Sequence, residues 1–144
     1  MSCVAYDGKI IAADKLSVSA DMRSTATKIV RLVDGVILAW VGESGGGLAL
    51  IDWYKKGSNP DNWPAMQKTE NWTRLIVADR NCAVTYEHEP FAQTVEEPFM
   101  AWGSGRDFAV AAMAMGADAR QAVEIANRFS LSCGGGVDWF DLTI

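Results

Sequence analysis

Ser2 concentrates more chemistry in fewer atoms than any other residue of the chain. The sequence opens Met1-Ser2-Cys3 and runs directly into Val4-Ala5-Tyr6-Asp7-Gly8-Lys9-Ile10-Ile11-Ala12-Ala13-Asp14, a strand and a tight turn. Removal of Met1 would leave a hydroxyl and a free α-amine on one residue at the end of that strand. An amine with a pKa of about 7.7 is an adequate base at neutral pH, so Ser2 would hold a nucleophile and its own base. Serine is small, which suits methionine removal. With Met1 retained, the amine is an amide and this chemistry is absent.

Other constellations are weaker. His88 is the only histidine, and its place between Glu87 and Glu89 beside Pro90 is that of a solvated strand end. Cys3, Cys82 and Cys133 form no close pair in sequence, so there is no zinc-ligand spacing and no cofactor is expected. The run Gly42-Glu43-Ser44-Gly45-Gly46-Gly47 has the glycine content of a phosphate loop, but Leu48 stands where such a loop needs lysine.

The rest of the chain must position these groups. Its 144 residues suffice for one domain, residues 1–144, with a real core. Apolar residues make up 49% and charged residues 22%, an ordinary globular composition. No unbroken apolar run, Val36 to Val41 among them, is long enough to span a bilayer, and no basic stretch followed by an apolar one opens the chain. Together with an odd cysteine count this predicts a cytoplasmic protein with no membrane partner, in which the Asn71-Trp72-Thr73 sequon is incidental. The net charge is −5 and no basic cluster stands out, which argues against a nucleic-acid partner.

Asp7-Gly8, Asp34-Gly35 and Asp79-Arg80-Asn81 each separate two apolar runs and predict three hairpins. Further strands are expected over 91–95, 99–102 and 136–142. A helix is predicted from Ser44 as cap to Lys56, with Leu50, Trp53 and Tyr54 on one face and Gly57 as its stop. Ser104-Gly105-Arg106-Asp107 reads as a capping box for a second helix with Phe108, Ala111, Ala112 and Met115 inward. Asp118-Ala119-Arg120-Gln121 caps a third, with Ala119, Ala122, Val123, Ala126 and Phe129 on one stripe. Trp40, Trp53 and Trp102 are expected in the core; for Trp63 and Trp72 packing is the default, with exposure for a subunit contact or ligand stacking as the alternative. This order does not alternate, so a parallel doubly wound sheet is disfavoured. Two antiparallel sheets faced by helices would cover every apolar stripe.

Several segments resemble the proteasome β-type subunits and the related bacterial heat-shock peptidase. Asp7 to Lys15 is similar to that family's first hairpin, and Thr27 to Leu32 with Asp34 to Gly42 to its next two strands. Trp102-Gly103-Ser104-Gly105 ahead of an alanine-rich helix is similar to its Gly-Ser-Gly turn. Asp118 to Phe129 and Cys133 to Asp138 are similar to its last helix and final strand. The resemblance implies an α+β fold, an αββα four-layer sandwich of the N-terminal-nucleophile (Ntn) hydrolases. It further implies a ring-like homo-oligomer, served by a separate unfoldase, that cleaves peptide or amide bonds.

By the same resemblance Ser2 is the nucleophile. Asp14 orients and holds charged a lysine, Lys28, which lowers the nucleophile's proton affinity. Val41 or Gly42 supplies a backbone N–H to the oxyanion, and Ser104 hydrogen-bonds the α-amine. Ser130 and Cys133 take binding positions where the family pattern has an aspartate and a serine or threonine. Read without the family, Asp14 is a solvated strand end, Lys28 a surface lysine and Ser104 a helix cap. Counted from the Asp7-Gly8 turn, the first strand is about three residues short of the family's. At ~3.3 Å per residue, Ser2 is expected to stop roughly 10 Å short of the nucleophile position. The alternative function is a catalytically silent member of the fold, binding a small-molecule ligand or a partner segment, for instance as a phage-encoded decoy.

Overall fold

The computed structural model describes residues 2–144; Met1, whose removal the Ser2 chemistry requires, lies outside the described residues. The chain runs β1 (Val4–Tyr6), β2 (Ile10–Asp14), β3 (Leu16–Ser19), β4 (Met22–Thr25), β5 (Ile29–Arg31) and β6 (Ile37–Val41). Then come α1 (Ser44–Lys55), two short 3-10 turns, β7 (Arg74–Ala78), β8 (Ala83–Tyr86), β9 (Gln93–Thr94) and β10 (Met100–Trp102). It closes with α2 (Arg106–Ala114), α3 (Ala119–Phe129) and β11 (Val137–Asp141).

The three expected hairpins share one turn chemistry. Asp7 Oδ1 accepts the N–H groups of Lys9 and Ile10 at 2.8 and 2.7 Å. Asp34 Oδ1 accepts from Val36 at 3.1 Å, and Asp79 Oδ1 from Asn81 and Cys82 at 2.7 and 3.0 Å. In each, a short carboxylate replaces ladder partners the turning backbone has lost. Asp7 also reaches across the fold, where its Oδ2 accepts the Ala119 N–H at 2.8 Å and docks the start of α3 on the first turn.

Two antiparallel sheets form, in the orders β10-β1-β2-β11 and β5-β6-β7-β8-β9, beside a separate β3-β4 hairpin. Alternation along the strands divides the core into three layers. Val4, Tyr6, Ile11 and Ala13 meet Ile29, Ile37, Ala39 and Ile76 between the sheets. Ala5, Ala12 and Ala101 face the other way, onto Ala109, Met113, Ala122, Val123 and Ala126 of α2 and α3. Leu38, Trp40, Leu75 and Val77 pack under Leu50, Ile51 and Trp53 of α1. The order of layers is thus helix, sheet, sheet, helix pair, the αββα sandwich of the sequence reading.

Several local expectations are corrected. The residue preceding α1 is Glu43, not Ser44, and no side chain caps it. Gly105 precedes α2, again with no side-chain cap, and Ser104 is exposed. On α2 the buried residues are Ala109 and Met113, while Phe108 and Met115 are 41% and 89% exposed. Ala109 lets α2 lie close on the sheet with Phe108 turned outward, while the flexible Met113 packs inward. Phe129 likewise lies outside the buried stripe of α3, whose capping box at Asp118 and Gln121 is present as read. Trp63 follows the packing default and is buried, its Nε1–H donating to the His88 carbonyl at 2.7 Å. The β3-β4 hairpin has no counterpart in the sequence reading. Its turn is Ala20-Asp21, both at positive φ (49° and 64°), so the glycine that usually marks such a turn is absent.

Candidate active site

Ser2 and Cys3 lie just ahead of β1 and extend its pairing, because the Asp14 N–H donates to the Cys3 carbonyl at 3.0 Å. Ser2 is held from the other side by the turn before α2, where the Gly105 N–H donates to the Ser2 carbonyl at 3.1 Å. Gly103, at φ +96°, packs so tightly on that carbonyl that a Cβ there would overlap it. The sequence Trp102-Gly103-Ser104-Gly105 therefore meets Ser2 through backbone and through missing side chains. The exposed Ser104 contributes neither of these contacts.

Asp14 ends β2 and is fully buried. Its Oδ1 accepts the Cys3 N–H at 3.0 Å and the Lys28 ammonium at 2.8 Å. Its Oδ2 accepts the N–H groups of Leu16 and Gly134, each at 3.2 Å. Four donors replace the water this carboxylate has lost, which is the condition for burying a charge. Lys28 stands just before β5, 3% exposed, and its Nζ also donates to Ser2 Oγ at 3.4 Å. Asp14, Lys28 and Ser2 thus form one continuous line. The gap of roughly 10 Å expected from strand rise does not separate Ser2 from Lys28. Nor are Asp14 and Lys28 the solvated residues they resemble when read singly.

A cleft of about 630 Å³ opens over this line, with Lys28, Gly42, Leu16, Val18 and Trp72 among its walls. Lys28 is where the cleft meets the site; Ser2 lies beneath, with no exposed surface. Of the two oxyanion candidates, Gly42 borders the cleft at φ +121°, whereas Val41 is buried between the sheets opposite Arg74 in the ladder. Trp72 is half-buried, with Arg74 over its ring at 5.3 Å and His88 beside it at 4.3 Å. Leu16, Val18 and the Gly134 amide were not singled out by the sequence. Leu16 and Val18 lie on the β3-β4 hairpin, which no glycine in its turn announces, and Gly134 lies on the loop between α3 and β11.

Ser130 and Cys133 belong to the segment between α3 and β11, and Cys133 shares the helix-side cluster with Cys3. Ser130 ends α3, and its Oγ accepts the Ser132 N–H at 3.2 Å. Cys133 is buried against Cys3. A hydrogen bond from the Cys3 thiol to the Cys133 sulfur, with burial second, pushes Cys3 well above the ordinary thiol range. The same bond lowers Cys133 against its own burial, with Ser130 adding a smaller push downward. No group of three or more metal-ligating side chains occurs among the described residues, and no helix among them is long and apolar enough to cross a membrane.

No protein-family model matches the sequence, and no relative is found among curated proteins. Solved structures do match in fold. Eukaryotic HslV from Trypanosoma brucei superposes with a TM-score of 0.70 at 18% identity, over 96% of this chain and 97% of its own. BPH from Thiobacillus denitrificans gives 0.72 at 21% identity, over 98% and 97%. The same protein in complex with epoxomicin gives 0.72 at 19%, over 98% of both chains. The fold is that of the HslV and proteasome-type Ntn peptidases, at 18–21% sequence identity to these neighbours.

Proposed function

We propose that this protein is a proteasome-type Ntn hydrolase that cleaves peptide or amide bonds with Ser2 after loss of Met1. One observation carries the reading: Ser2 Oγ lies 3.4 Å from Lys28 Nζ, which lies 2.8 Å from the buried Asp14 carboxylate. With Met1 removed, the Ser2 nitrogen is a primary amine and accepts the hydroxyl proton as Oγ attacks a carbonyl carbon. The Lys28 ammonium disfavours protonation of that amine beforehand and stabilises the developing alkoxide. The Gly42 N–H, at the cleft wall, is the donor we assign to the oxyanion. Collapse of the tetrahedral intermediate releases the amine product, which takes the proton from the α-ammonium. Water, deprotonated by the same amine, then hydrolyses the ester on Ser2. The reading includes a ring-like homo-oligomer supplied by a separate unfoldase.

Intact-mass measurement with and without epoxomicin, the ligand of the Thiobacillus neighbour, tests it. The expected result is a chain lighter by one methionine residue (roughly 131 Da), adducted at Ser2 and unadducted in Ser2→Ala. A stable Met1 form that takes no adduct would overturn the reading.

A second reading, a silent binding protein of the same fold, draws on two observations. Ser130 stands where the family pattern has a carboxylate, and Ser2 has no exposed surface while the cleft above it is open. It predicts that a peptide or metabolite stays bound in native mass spectrometry and that Ser2→Ala leaves this binding intact. Turnover lost in Ser2→Ala would rule it out.

A further inference from the structure

Two buried thiols stand behind the site and have no part in the proposed hydrolysis. Cys3 has no exposed surface, Cys133 is 4% exposed, and both belong to the cluster between the first sheet and the helix pair. Both press on Gly105, where a Cβ would stand 3.0 Å from the Cys3 Cβ and 2.6 Å from the Cys133 Sγ. Cys82, in the turn between β7 and β8, is exposed. We propose that Cys3 and Cys133 are a redox site, oxidised by a hydroperoxide to a disulfide that ties the residues ahead of β1 to the loop between α3 and β11.

The two thiols are unequal in the way such a reaction needs. Cys133 accepts the Cys3 hydrogen bond and favours its thiolate, whereas Cys3 is held protonated. With hydrogen peroxide as oxidant, the Cys133 thiolate attacks one oxygen, the O–O bond breaks, and hydroxide leaves. This gives a sulfenic acid on Cys133. The Cys3 sulfur then attacks that sulfur, its proton goes to the departing hydroxide, and water is released. Two thiols lose two electrons and two protons, and the peroxide ends as two waters. Hydrogen peroxide is a small oxidant, and Cys133 keeps 4% exposure where Cys3 has none.

Closure reaches the polar line directly. Cys3 donates its N–H to Asp14 Oδ1, and Gly134, next to Cys133, donates its N–H to Asp14 Oδ2. Drawing the sulfurs to a bond of about 2.05 Å pulls these two backbone segments together on either side of the carboxylate that holds Lys28. The inference rests on the packing of the two cysteines and stands whether or not Ser2 is a nucleophile.

The test uses the full reduced chain, with exposed Cys82 as its internal reference. Limited hydrogen peroxide is added, followed by non-reducing digestion and mass spectrometry. The expected result is a peptide linking Cys3 to Cys133, a loss of about 2 Da per chain from the two hydrogens, and reversal by dithiothreitol. A rise in Tm of roughly 10 °C accompanies closure of so long a loop. Oxidation of Cys82 while Cys3 and Cys133 remain free thiols would overturn the proposal. So would conversion of Cys133 to sulfinic acid with no link to Cys3.

Discussion

Asp14 and Lys28 are paired at 2.8 Å with side-chain exposures of 0% and 4%, yet the two partners are not equally dependent on each other. Asp14 keeps three backbone donors if the lysine is lost: the N–H groups of Cys3, Leu16 and Gly134. Lys28 keeps only a longer contact to the Ser2 hydroxyl, at 3.4 Å. Asp14→Ala is therefore expected to destabilise by about 3–5 kcal/mol, since it strands an ammonium and three N–H groups. Lys28→Met should cost at least about 1 kcal/mol less. Urea denaturation compares the two, and equal losses or the reverse order would contradict this account of the site. Both variants are expected to lose epoxomicin labelling at Ser2.

Ser104 and Asp118 separate catalytic from capping roles. Ser104 is exposed and α2 has no side-chain cap, whereas Asp118 and Gln121 make a complete capping box on α3. Ser104→Ala should leave stability within about 0.5 kcal/mol of the parent. Asp118→Ala should cost about 1 kcal/mol. If Ser104 nevertheless assists the α-amine, its loss will slow labelling at Ser2 with no change in Tm. A large Tm loss in Ser104→Ala would restore the capping role that the structure denies it.

Gly103 and Gly105 make a second graded pair. A side chain at Gly103 meets the Ser2 carbonyl, which is backbone and cannot swing away, and φ there is +96°. At Gly105, where φ is −89°, the obstacles are the Cys133 sulfur and the side-chain carbons of Cys3 and Ala126. Gly103→Ala combines conformational strain of about 1–2 kcal/mol with overpacking of about 1–3 kcal/mol. Gly105→Ala carries the overpacking alone. Thermal melts should rank Gly103→Ala as the more damaging. A Gly103→Ala protein as stable as the parent would mean that Ser2 is not clamped by this turn.

The legible part of the fold was the part written in side chains that cannot do anything else. Asp-Gly between apolar runs specifies a tight turn, and two of the three predicted hairpins carry it. Asp118 with Gln121 specifies a helix start, and Arg120, Glu124 and Arg128 mark the solvent side of α3, so its buried alanines followed. On α2 no charge lies beyond Asp107 and every later residue is apolar, so periodicity could not say which face turned inward. Size was the wrong guide, because Ala109 allows closer packing than Phe108. The β3-β4 hairpin escaped because Ala20 gives no sign of the left-handed backbone it adopts. At the site, Asp14 and Lys28 were legible only through the family's pattern. Strand-rise arithmetic counts residues from the turn and carries no information on which side chains Ser2 meets. In this chain Cys3 and Asp14 are fixed to each other by two hydrogen bonds, and Ser2 is held through Gly105 and Lys28.

The aromatic cluster under α1 sets an alkaline limit on stability. Burial raises the Tyr86 phenol above its ordinary value of 10.0, and burial followed by nearby negative charge, with Tyr86 the largest contributor, does the same for Tyr54. Below pH 10 the folded and unfolded chains both hold these protons, so the contribution to stability is fully present. Above pH 10 the unfolded chain ionises first, and the native state loses stability until the pH passes the raised native values. Tm should therefore fall more steeply above pH 10 than below it. Tyr86 packs on Trp53 through its ring, with centroids 5.1 Å apart, so Tyr86→Phe keeps the contact and removes the titrating group. Melts of this variant across pH 8 to 12 should show a shallower alkaline decline than the parent. An unchanged slope would place the alkaline sensitivity elsewhere, with Tyr54 and the similarly raised Tyr6 the next groups to substitute.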